Sequence, residues 1–61
     1  MNDLFIDALA AQGLRPTRYL TIEADYARVQ CLAGGMYRVY ELFLLIDEDT
    51  GEEYAEIEEG R

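Results

Sequence analysis

The spacing of apolar positions changes along this chain, and each change marks an element. Leu4, Phe5, Ala8 and Leu9, closed by the polar Gln12, recur at the intervals of one apolar helix stripe. Asn2 or Asp3 suits the N-cap, and Asp7 adds negative charge early in the helix, where the dipole favours it. Gly13 stands at the C′ position and Pro16 opposes continuation. The pattern predicts a helix over residues 3–12, too short to persist unless its stripe docks.

Residues 18–33 read in two ways. Leu20, Ile22 and Ala24 alternate with Tyr19, Thr21 and Glu23, and Ala27, Val29, Cys31 and Ala33 alternate with Arg28, Gln30 and Leu32. That is the period of strands. Tyr19, Ile22, Tyr26, Val29 and Ala33 also fall at helical intervals, with Gly34-Gly35 as a C-cap. The strand reading is preferred, because Gly-Gly is also a two-residue hairpin turn. Folding about it pairs Ala33 with Met36, Val29 with Tyr40, and Arg28 with Glu41, the last a favourable cross-strand charge pair.

Tyr37–Tyr40 then runs into the apolar Leu42–Ile46, which reads as a central strand. Such a strand is expected to be covered on both faces for part of its length, by the helix on one and by something such as a second copy on the other. Asp47–Glu52 reads as a turn, with Gly51 able to take the left-handed conformation and Asp47 and Asp49 able to bond turn amides. In the return strand Glu53, Ala55, Ile57 and Glu59 share one face, and Glu52, Tyr54, Glu56 and Glu58 the other. Phe5, Leu9, Val39, Phe43, Leu45 and Ile57 are the expected core. The fold class is α+β: one N-terminal helix packed on a small antiparallel β-meander of three to four strands, a single acidic domain over residues 1–61.

Size sharpens this picture. A 61-residue chain buries only about 60% of its unfolded surface, and one cysteine closes no internal disulfide. A monomer or weak homodimer is expected. Cys31 reads as a small apolar residue in a reducing cytoplasm. Met1-Asn2-Asp3 opens acidic where a signal peptide needs bases, and no apolar run approaches a membrane span, so the expected location is cytoplasmic.

Charge changes the picture most. Residues 1–40 carry four acids (Asp3, Asp7, Glu23, Asp25) against four bases (Arg15, Arg18, Arg28, Arg38). Residues 41–61 carry nine acids against Arg61, so the whole net charge of −8 lies in the last third. This disfavours nucleic acid and anionic membranes as direct partners and favours basic surfaces.

Catalysis finds little to use. The chain has no His and no Lys, and Thr17, Thr21 and Thr50 lack a base. Its many carboxylates would need a desolvating cleft to act as acids. No enzyme activity and no cofactor are expected. Asp47, Asp49 and Glu58 fall at ligand positions of an EF-hand loop, but Glu52 stands where that loop requires Gly, so no metal site is expected either.

The acidic end itself carries two readings. In one it is a solvated face that only gives solubility to a small interaction protein, an antitoxin or assembly factor. In the other it imitates nucleic acid. Carboxylates two residues apart on a strand lie about 6.6 Å apart, comparable to successive phosphates, and here they are mounted on a stiff hairpin.

In its length, its acid-rich end Asp47–Glu59 and its lack of catalytic residues, the chain resembles the phage-encoded anti-CRISPR proteins. Among these it is most similar to the short inhibitors of type I systems, type I-C in particular. The resemblance implies a stoichiometric inhibitor and DNA mimic that blocks target-DNA binding by a type I surveillance complex in the host bacterial cytoplasm. Its partner would be a basic nucleic-acid-binding subunit. The expected contact residues are Asp47, Glu48, Asp49, Glu52, Glu53, Glu56, Glu58 and Glu59.

Overall fold

The structure, a computed structural model, describes residues 1–60. Helix α1 spans Asp3–Ala11 and is followed by strands β1 (Arg15–Ile22), β2 (Tyr26–Ala33), β3 (Met36–Ile46) and β4 (Glu53–Glu59). The strands form one antiparallel sheet in the order β1-β2-β3-β4, with α1 packed on it. This is the α+β meander expected, with four strands. The helix alternative for residues 18–33 does not occur.

Both ends of α1 are closed by the residues that the sequence nominates. The Asn2 side chain accepts from the Leu4 amide at 2.8 Å. At the other end Gly13 has φ +69°. Its amide donates to Ala10 O at 3.0 Å and that of Leu14 donates to Leu9 O at 2.9 Å. These two bonds make a Schellman closure. It returns Leu14 to pack against the same core as Leu9.

The Gly34-Gly35 turn fixes the sheet's parity. Both residues have positive φ, +57° and +80°, as a two-residue type I′ hairpin requires. The register that follows sets Ala33 opposite Met36, Val29 opposite Tyr40 and Arg28 opposite Glu41. Ala27 therefore faces Leu42, and β4 adds Ile57 opposite Leu42 and Ala55 opposite Leu44. Directly opposed residues share a face. The helix covers the face made of these pairs.

The core is small: Phe5, Leu9, Ala27, Val29, Cys31 and Leu42 are fully buried. Ile57 is half-buried against it, with Tyr40, Leu44 and Ala55. Val39, Phe43 and Leu45, expected in this core, are half-buried on the opposite face instead. The Leu42–Ile46 run is apolar at both parities, so the run itself did not say which half the helix would cover. Chemistry of the neighbours decides. The other face carries Arg28, Gln30 and Glu41, which the apolar stripe of α1 would strip of water while offering no polar group in exchange. The face that is covered offers Ala27 and Cys31, small enough to seat Phe5 and Leu9.

The two edges are protected differently. β1 is bulged between Pro16 and Arg18 and between Tyr19 and Thr21, and Pro16 lacks an amide to donate. β4 is lined with glutamates. Both devices discourage edge-to-edge pairing. No helix among the described residues is long and apolar enough to cross a membrane.

Candidate functional site: the acidic hairpin

The hairpin between β3 and β4 begins with a loop that ties itself down. Asp47 Oδ1 accepts from the amides of Asp49 at 2.8 Å and Thr50 at 3.2 Å. The Gly51 amide donates to Asp47 O at 2.8 Å, and the Asp47 amide donates to Glu52 O at 2.8 Å. The Glu52 amide donates to Thr50 Oγ1 at 3.2 Å. Gly51 sits at φ +76°, the left-handed position foreseen for it. Asp47 is thus spent on the loop's own backbone in an Asx turn, whereas the amide-bonding role expected of the Asp49 side chain is not seen.

All eight candidate residues, Asp47, Glu48, Asp49, Glu52, Glu53, Glu56, Glu58 and Glu59, are exposed. They do not form one row. Asp47, Glu48, Asp49 and Glu52 gather at the loop. Glu53 and Glu59 point with Ala55 and Ile57 toward the helix side of the sheet, at the two ends of β4. Glu56 and Glu58 lie on the open face, opposite Phe43 and Glu41. From Glu53 to Glu59 the strand advances about 20 Å at roughly 3.3 Å per residue.

Two polar contacts modify this surface. Arg38 Nη1 donates to Glu59 Oε1 at 2.7 Å. The hydrogen bond to Glu59, and its charge, hold the Arg38 guanidinium above its ordinary pKa. Both side chains are about half exposed, so the pair contributes little to stability, but it neutralises Glu59. Second, Glu41 Oε2 accepts from the Tyr26 hydroxyl at 2.6 Å. Glu41 is an acid of this surface that was not among the eight expected contact residues. Its pairing with Arg28 was expected from the Gly34-Gly35 turn and is seen, whereas its place opposite Glu58 became visible only through the β3–β4 register. Like charges directly opposed, as Glu41 and Glu58 are, cost stability.

Among the described residues no pocket opens and no group of three or more His, Cys, Asp or Glu is placed to hold a metal ion. Comparisons with protein families, with curated proteins and with solved structures find no match to this chain.

Proposed function

We propose that this protein is a stoichiometric inhibitor whose acidic hairpin occupies a basic nucleic-acid-binding groove, in the manner of the anti-CRISPR proteins that block target-DNA binding by a type I surveillance complex. One observation carries the reading: the exposed acids are concentrated on a single hairpin whose loop is braced by its own backbone bonds. A stiff array of charge binds a groove with less loss of entropy than a tail does. Glu48, Asp49, Glu52 and Glu53 lead the contact, since Asp47 braces the loop and Glu59 is paired with Arg38.

A mobility-shift assay tests it, with a type I-C surveillance complex, its target DNA and increasing amounts of this protein. The protein should compete with DNA, and competition should weaken as salt rises, because exposed charges are screened over about 8 Å at physiological ionic strength. Reversing Glu48, Asp49 and Glu52 together to Lys should abolish competition while the circular dichroism spectrum stays unchanged. Full-strength competition by the folded triple variant, or no competition by the parent, would overturn the proposal.

A further inference from the structure

We propose that the open face of the sheet is a homodimer interface, in which two copies pack sheet to sheet about a two-fold axis running parallel to the strands. This goes beyond the inhibitory reading and does not rest on it.

The face carries apolar residues on both sides of its Arg28–Glu41 level. Leu32, Val39, Phe43 and Leu45 are half-buried there with no element above them, and Tyr37 and Tyr54 are 65% and 47% exposed. The register assigns the charges of this face. Arg15 and Arg18 on β1 pair with Leu32 and Gln30, and Arg28 lies on β2. Glu41 lies on β3, with Glu58 and Glu56 on β4 opposite Glu41 and Phe43. Three bases occupy one half of the face and three acids the other. The face is neutral in a protein of net charge −8, and it is polarised across the strands.

That polarity selects the occupant and the axis. A two-fold parallel to the strands lays β1 over the second copy's β4, and β2 over its β3. Arg28 then lies over the second copy's Glu41, at the same level along the strands. Arg28 and Glu41 are direct cross-strand partners on either side of the midline, so two copies would close a ring of four alternating charges. Arg18 lies level with the second copy's Gly60, one same-face step of about 6.6 Å along the strand from its Glu58, within the reach of the two long side chains. A two-fold perpendicular to the strands would set β1 on β1 and β4 on β4, like charge on like. Complementary potentials fix register in this way.

Size agrees. The molecule measures 39 × 20 × 19 Å, so its broad face is of the order of the roughly 800 Å² that each partner gives to an ordinary specific interface. Sheets packed face to face stand about 10 Å apart, close enough for the aromatic side chains to interdigitate. A chain with so small a core gains from burying it. Because the axis keeps the strand direction, both acidic loops emerge at the same end of the dimer.

Analytical ultracentrifugation of the full chain tests this, with protein up to about 1 mM, where even a pair with millimolar Kd is half formed. The parent should dimerise. Arg18→Glu and Glu58→Arg should each raise Kd at least about tenfold, as the loss of a close charge pair does. The double variant should return to within about threefold of the parent. Rescue is diagnostic, because within one copy these residues lie on opposite edges of the sheet, about 14 Å apart at roughly 4.8 Å per strand. Circular dichroism checks each fold. A second measurement needs no variant: ring resonances of Tyr37, Phe43 and Tyr54 should shift with concentration while Ile6, on the helix, stays fixed. A parent that is monomeric throughout, a double variant weaker than either single, or concentration-dependent shifts confined to the helix side would overturn the proposal. None of these readouts involves the loop acids, so failure here leaves the inhibitory reading standing.

Discussion

Tyr26 donates a hydrogen bond from its hydroxyl to Glu41 Oε2 across the β2–β3 ladder, at 2.6 Å, while its ring stands 5.4 Å from that of Phe43 at 52°. The carboxylate accepts from the neutral phenol and would repel the phenolate. Tyr26 is accordingly held above the ordinary tyrosine pKa, with the Glu41 bond the largest cause. A group whose folded pKa is raised contributes stability that is fully present below its unfolded pKa, near 10. That contribution is lost as pH rises through the folded value. An ultraviolet titration should therefore find one tyrosine ionising late, and Glu41→Gln should bring it back toward the ordinary value. Superimposable curves for the parent and the variant would show the bond to be without consequence.

Leu42 and Phe43 are neighbours with opposite fates. Leu42 is fully buried under α1, so Leu42→Ala should destabilise by about 2–5 kcal/mol, a transfer loss plus a cavity. Phe43 is half-buried on the open face. Phe43→Ala should cost clearly less than the roughly 3–5 kcal/mol of a core phenylalanine. Urea unfolding of both variants, at a concentration low enough to hold the chain monomeric, checks the order.

The turn at Gly34-Gly35 is open to solvent: a Cβ built at either residue meets nothing within 4 Å. Any penalty for substitution there is a backbone penalty. Gly35→Ala, at φ +80°, should cost about 1–2 kcal/mol, the expense of the left-handed conformation for an L-residue. Gly34→Asn should be nearly neutral, since Asn-Gly serves the same turn. Thermal unfolding of the two variants would separate them by several degrees.

Cys31 is buried against the helix, and burial pushes its thiol pKa up. Both effects suppress the thiolate that reacts. A thiol reagent should modify native protein far more slowly than unfolded protein, with the rate rising as denaturant is added. Native modification as fast as that of a free thiol would contradict the packing of β2 under α1.

Much of this fold was written locally. The helix, its Asn2 cap and its Gly13 closure depend on residues within a few positions of one another, as do the Gly34-Gly35 turn and the left-handed Gly51. The pairings of Ala33, Val29 and Arg28 followed from that turn, because a two-residue loop leaves the register no freedom. The acidic character of the hairpin was equally plain, being a count of charges along a short stretch. What the local rules left open was which face of the sheet the helix would take. Leu42 to Ile46 is apolar at every position, so alternation gave no vote, and Val39, Phe43 and Leu45, expected in the core, lie half-buried on the open face. Only docking settles that, by weighing the burial of Ala27, Val29 and Cys31 against the dehydration of Arg28, Gln30 and Glu41. The division of the eight candidate acids among the loop and two faces, the Arg38–Glu59 pair and the Tyr26–Glu41 bond belong to the same class. They join residues 15 to 21 positions apart, or distribute them across strands, and such relations exist only once four strands share one register.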